Sequence, residues 1–221
     1  MEGQGRPPHL ILGEVMNPLL DEIDLAIGYR LSHFYRITTV DIEAEHARLS
    51  ESAMNERLKQ LTKHRWLSPL TAWCSNIEPI AEPLFEWKPG DEVPDFGALS
   101  YQARTRWDDN PVRETTVFAA AQKMLDYWGL PPRKHVKLQQ ATHDLGCNRM
   151  WAYASNRWPH LEFIGEDLFP PRGHRVGVED AQVVDGEGIV YVLEHAGAYR
   201  RERCIHFHEH VAARNLAYFL F

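Results

Sequence analysis

Between Leu19 and Phe34 apolar residues recur at steps of three and four, at Leu19, Leu20, Ile23, Ile27, Leu31 and Phe34. That is the period of one helical face. Pro18 suits the first turn, where a missing N–H costs nothing. A short second helix is expected behind Thr38 or Thr39, carrying Val40, Ile42 and Ala44 to Ala47. A third follows Ser50 or Ser52, with Met54, Leu58 and Leu61 on its inner face. Trp66 and Leu67 then read as the start of a strand. Residues 1–17, with Gly3, Gly5, Pro7 and Pro8, read as a loose leader.

From 68 to 97 prolines punctuate the chain. Leu70 to Trp73 and Leu84 to Trp87 are expected to be two short strands around a long tip, and Asp91 to Asn110 an extended connector. A domain boundary is placed near 110, giving a first domain over 18–110 and a second over 111–221.

In the second half strand and helix patterns alternate. Thr115 to Ala119 predicts a strand, followed by a helix through Met124, Leu125 and Trp128 that ends at Gly129. Lys137 to Trp158 reads as largely helical, with Thr142 as a cap. Strands are expected at Leu161 to Ile164, Arg175 to Val184 and Ile189 to Glu194, the last two joined through Asp185-Gly186-Glu187-Gly188. Gly197 to Arg214 predicts a helix and Leu216 to Phe221 a terminal strand. The expected fold class is α+β: an N-terminal winged helix-turn-helix, then an α/β domain with a mixed sheet.

Composition narrows the classes. Hydrophobic residues make up 44% of the 221, and seven are tryptophan, enough to build real cores. No apolar run approaches a membrane span, and the N-terminus lacks the basic start and apolar stretch of a signal peptide. Three widely spaced cysteines, Cys74, Cys147 and Cys204, form no disulfide framework or CxxC motif. A reducing, cytoplasmic setting without membrane contact is the expectation. The net charge of −7 argues against non-specific coating of nucleic acid, yet residues 48–66 carry +3. Any DNA contact is therefore local.

With Met54, Leu58 and Leu61 inward, the third helix turns Ser52, Asn55, Glu56, Lys59 and Lys63 outward. Asparagine can bond adenine edges in a major groove, and lysine and serine can hold phosphates or bases. Arg57 and Arg65 are candidates for flanking phosphate contacts. A solvated amphipathic helix has the same pattern; the short helix before it and the extended pair after it favour DNA. The run Leu49 to Leu67 resembles the recognition helix and first wing strand of winged-helix regulators.

The stretch Thr142-His143-Asp144-Leu145-Gly146-Cys147-Asn148-Arg149 resembles the opening of the second domain in the replication-relaxation family, winged-helix proteins of plasmids and other mobile elements. Val178-Glu179-Asp180-Ala181, the strand ending in Glu194, and the unit from Tyr199 to Tyr218 follow that family's order. The resemblance implies DNA binding in replication, relaxation or transcription control.

Read chemically, Asp180 followed by Glu194-His195-Ala196 resembles the PD-(D/E)xK nuclease pattern, in which two carboxylates hold a divalent metal and a lysine helps activate water. Glu179 and Glu166 are further acids nearby in this reading. Ala196 stands where the lysine belongs, so a degenerate nuclease-like scaffold fits better than an active one. His206-Phe207-His208-Glu209-His210 offers only His206 and His210 at helical ligand spacing, and Cys204 does not complete a set. His143 reads as structural, and Trp73, Trp87, Trp107, Trp128, Trp151 and Trp158 as packing residues rather than base-stacking ones.

The leading expectation is a non-enzymatic, sequence-specific binder of double-stranded DNA with no cofactor and no metal, acting as a homodimer. Leu216 to Phe221 is offered as an edge strand for pairing with a second copy. The alternatives are a metal-dependent nuclease using Asp180 and Glu194, and a protein-interaction scaffold in a mobile-element or defence complex.

Overall fold

The computed structural model describes residues 20–108, 111–133, 136–169 and 179–221. The leader over 1–17, the Pro18 start and the strand expected over 175–178 lie outside these residues. The chain is an α+β protein with one two-stranded and one five-stranded sheet among the described residues.

Helix α1 (Glu22–His33) starts at Asp21, whose carboxylate accepts the N–H groups of Ile23 and Asp24, while Asp24 accepts the N–H of Asp21. This reciprocal cap fixes the helix start later than the apolar pattern suggested. Helices α2 (Val40–Ala47) and α3 (Glu51–Lys63) follow, the latter capped by the Ser50 hydroxyl on the Ala53 N–H. Met54, Leu58 and Leu61 pack with Ile27, Leu31, Trp66, Phe118 and Met124 in one core. Each such side chain contributes about 1.5–3 kcal/mol by leaving water.

Three residues, 48–50, turn α2 into α3. Arg48 adopts the left-handed conformation (φ 54°), and the Leu49 N–H closes back onto Ala44 O at 2.9 Å. Arg65 repeats this beyond α3 (φ 60°), with Trp66 N–H on Leu61 O at 2.9 Å. Glycine is the usual residue at such helix ends, so both arginines sit there at a backbone cost.

Strands β1 (Leu67–Ser75), β2 (Phe85–Trp87) and β3 (Val112–Ala120) come next. β1 pairs antiparallel with β3, Leu67 opposite Ala120 and Ser75 opposite Val112, and Thr38 bridges Phe118. The expected pairing of 70–73 with 84–87 is therefore wrong: β2 joins the other sheet. The expected extended connector is also corrected, because Phe96–Asp108 forms helix α4, its start held by Asp95 accepting from Gly97 and Ala98. Both sheets contain strands from either side of residue 110, so the division placed there cuts across strand pairing.

After α5 (Gln122–Tyr127) and a short 3-10 turn, α6 (Ala141–Arg157) precedes β4 (Glu162–Gly165), β5 (Ala181–Val184), β6 (Ile189–Glu194), α7 (Arg201–Ala212) and β7 (Ala217–Leu220). The five-stranded order is β2-β7-β6-β5-β4, with β6 and β7 parallel and the other neighbours antiparallel. The Asp185 to Gly188 turn joins β5 to β6 as expected. Met150 and Ala154 of α6 cover one face with Leu193 and Phe219, and Ala103 of α4 and Phe207 and Val211 of α7 cover the other with Val192 and Tyr218. The inner face of the β1–β3 ribbon, Ala72, Cys74, Val117 and Ala119, packs on Ala141 and Leu145 of α6.

Three smaller expectations change. Thr142 does not cap α6; its hydroxyl accepts the Ser75 N–H at 3.0 Å and ties the helix to the ribbon. Residues 197–200 precede α7 rather than belonging to it. The terminal strand is not an edge: β7 lies between β2 and β6, its last three residues buried. A second copy has no access to it there.

Gly146 of α6 faces the ring of His195, and a Cβ on it would lie 2.2 Å from that ring. His195 is itself buried, between Gly146 and the Trp107 and His143 rings. Gly146→Ala is therefore expected to lower stability by about 1–3 kcal/mol, although alanine is the better helix former. Denaturant unfolding checks this; a stabilised variant would contradict it.

Candidate functional site

Two places gather polar chemistry. The first is the outer face of α3. Ser52, Lys59, Lys63 and Arg65 are exposed and Asn55 is half-buried. Lys59 pairs with Glu56 one turn back at 2.7 Å, a pair of little energetic weight in solvent. Arg57 is placed differently from the sequence reading: its guanidinium reaches Asp21 and Asp24 at 2.7 Å each, clamping α3 to the start of α1. Sequence reasoning overlooked two exposed cations here. Arg48 sits in the α2–α3 turn, and Lys123 donates to His64 O while its ammonium lies 3.9 Å from the Trp66 ring. On the outer face of the ribbon Trp73 is 67% exposed, unlike a packing residue.

The second place is a buried polar centre where α6, β5, β6 and α7 meet. Asp180 immediately precedes β5 and Glu194 ends β6, so the β5–β6 pairing brings them together. The Asp180 N–H donates to Glu194 at 3.2 Å, and the His195 N–H donates to Asp180 Oδ2 at 2.7 Å. His143 Nε2 lies 3.1 Å from Asp180 Oδ1 and 3.6 Å from Cys147 Sγ. Glu194 accepts from Tyr199 and, at 3.0 Å, from Arg203. Glu179 instead pairs with Arg214 at 2.8 Å and faces His210 at 3.5 Å. Glu166 is held by Arg36 at 2.7 Å.

Burial governs protonation here. It pushes the Cys147 thiol up to about 12, so the sulfur is a neutral thiol at pH 7. Burial works to lower His143, but it is outweighed by Cys147, in so far as that thiol ionises, and by the Asp180 carboxylate, so the ring titrates above the usual histidine range. His195 is pushed well below the usual histidine range by burial and by His143, so it is neutral. Glu194 is pushed up to about 8 by burial and by the Asp180 charge, against the pull of Tyr199 and Arg203.

The Glu194 shift sets a pH dependence. Its folded pKa lies above the ordinary glutamate value of 4.5, so the folded chain holds this proton more tightly than the unfolded one. The resulting stability is fully present below about pH 4.5 and is lost as pH rises through about 8. Relative to Glu194→Gln, the native chain is expected to lose on the order of 4 kcal/mol between about pH 5 and pH 9. Denaturant unfolding at both pH values measures this, and parallel profiles for the two proteins would contradict it.

Ala196, at the position of the nuclease lysine, is buried in the core between the sheet and α7. The three histidines of α7 do not converge: His206 is exposed, His208 bonds the Tyr218 hydroxyl at 3.2 Å, and His210 faces Glu179. No helix of the described residues is long and apolar enough to cross a membrane. Compared with known proteins, the chain matches no family model, no curated protein and no solved structure.

Proposed function

We propose that the protein binds double-stranded DNA sequence-specifically, without cutting it, by laying α3 in the major groove. The observation that carries this reading is the α2–α3 unit. Two helices meet across a three-residue turn, the second turns Ser52, Asn55, Lys59 and Lys63 away from its core, and the chain then enters a β ribbon. In this reading α1 to α3, the Thr38 bridge and the β1–β3 ribbon form a winged helix, with the ribbon as its wing. The left-handed arginines that follow α2 and α3, Arg48 and Arg65, support it, since a strained backbone at an exposed cation points to a role for the charge. The resemblance to replication-relaxation proteins agrees with a regulator of that kind.

Asn55→Ala is expected to weaken binding by about 1–3 kcal/mol and to relax preference at one base position. Fluorescence anisotropy on a selected duplex and its single-base variants measures both. Unchanged affinity and preference would remove Asn55 from the interface. Two copies on paired half-sites would multiply specificity, through a surface other than the interior strand β7.

For the rest of the chain we propose a degenerate PD-(D/E)xK-like scaffold. The order α6-β4-β5-β6-α7-β7 and the meeting of Asp180 with Glu194 support it. Active metal-dependent cleavage is the second reading, favoured by those two carboxylates. Against it stands Arg203, whose guanidinium already occupies Glu194, and the buried Ala196. Incubation of duplex and single-stranded DNA with magnesium or manganese separates the two. Cleavage abolished by Glu194→Ala would establish the nuclease. A protein-interaction scaffold would instead show a tight protein partner and no DNA affinity at low salt.

A further inference from the structure

We propose that His143, Cys147 and Asp180 form a binding site for a borderline-soft divalent transition metal of the zinc type. The donors are His143 Nε2, Cys147 Sγ and an Asp180 carboxylate oxygen, all within 4.8 Å of one another. Zinc bonds of about 2.3 Å to sulfur and 2.0 Å to nitrogen or oxygen, at tetrahedral angles, place sulfur and nitrogen about 3.5 Å apart and nitrogen and oxygen about 3.3 Å apart. The protein has 3.6 Å and 3.1 Å.

The geometry separates this from a cysteine–histidine–aspartate relay. A relay needs thiol and carboxylate on opposite ring nitrogens, so that a proton can cross the imidazole. Here both contacts fall on Nε2. Donors that converge on one point suit a shared cation. His143 and Cys147 are four residues apart on α6, the spacing that puts two ligands on one helix face. The main-chain N–H of His195 holds Asp180 Oδ2 at 2.7 Å, which orients the carboxylate from behind as metal sites commonly require.

Beside Cys147 and Asp180 lies a cavity of ≈ 20 Å³, also lined by Arg36, Asp144 and Glu166. That is room for one water, the natural fourth ligand. Binding the ion displaces the protons of Cys147 and His143, and the thiolate so formed selects zinc, cobalt or a similar ion over magnesium, so this site is chemically distinct from a two-carboxylate nuclease centre on Asp180 and Glu194. Glu194, engaged by Tyr199 and Arg203, is not among its donors.

The test is cobalt titration of the full-length protein after treatment with a chelator. Cobalt reports thiolate ligation by a charge-transfer absorption and tetrahedral geometry by its d–d bands. The expected spectrum saturates at one cobalt per chain and is bleached by zinc but not by magnesium. It is retained in the C74S/C204S double variant and lost in Cys147→Ser, and Asp180→Asn weakens cobalt binding at least tenfold. Absence of a thiolate band in the wild-type protein overturns the proposal, as does a band that follows Cys74 or Cys204. The wild-type and C74S/C204S titrations decide the matter even where a ligand variant fails to fold.

Discussion

Replacing Glu43 by alanine is expected to lower unfolding free energy by about 3–5 kcal/mol, the cost of stranding a buried charge. Glu43 lies on α2, fully buried, and accepts from the Arg30 guanidinium and, at 3.0 Å, from the Tyr35 hydroxyl. Arg30 comes from the last turn of α1, so this cluster fixes how α1 and α2 cross and thereby aims α3. Without the carboxylate, a guanidinium whose side chain is 13% exposed has lost its counter-charge. For a chain of this size the loss corresponds to a fall in Tm of roughly 10 °C. Joint replacement by Arg30→Met, Tyr35→Phe and Glu43→Leu is expected to cost less than Glu43→Ala alone, because no polar group is left unpaired. Thermal and denaturant unfolding test both. A Glu43→Ala loss under about 1 kcal/mol would contradict the assignment.

The second large effect is on DNA. Replacing Lys59, Lys63 and Arg65 together by alanine is expected to reduce affinity about 100-fold and to lower the slope of log affinity against log salt by about 2–3, as three phosphate contacts disappear. Arg57→Ala is the matched control. Its guanidinium is spent on Asp21 and on the buried Asp24, so that variant is expected to lose about 1–3 kcal/mol of stability, as Asp24 loses its partner, and to keep the salt slope. Equal slopes for the triple variant and the wild type would place DNA elsewhere. A reduced slope in Arg57→Ala would mean that its ion pair opens on binding.

The sequence spoke most clearly where structure is local. Met54, Leu58 and Leu61 mark the buried face of α3, and Ser50 its start, because helical periodicity and capping act within a few residues. The ribbon partner of β1 was not legible. β3 is separated from it by β2 and α4, and short strands carry no signal of which distant segment they will meet. α4 had a legible cap in Asp95 but buries little beyond Leu99 and Ala103, so its pattern resembled a connector. Glu43 hid its burial because nothing in a sequence tells a carboxylate paired with Arg30 from a solvated one. The His143–Cys147 spacing could be read on a helix. Their third partner could not, since Asp180 reaches them only through the placement of α6 against β5.

The same limit explains the corrected terminal strand. Leu216 to Phe221 is apolar because the strand is interior, with β2 on one side and β6 on the other. A buried central strand and a sticky edge strand look alike in sequence.

The most direct test of DNA reading by α3 is selection of the full-length protein against a random duplex library, with and without magnesium, scoring enrichment and cleavage in the same samples. An enriched motif that is independent of magnesium is expected, with a bound duplex that stays uncut and loss of enrichment in the Lys59, Lys63 and Arg65 triple variant. No enrichment at low salt, or a motif selected equally well by the triple variant, would contradict it.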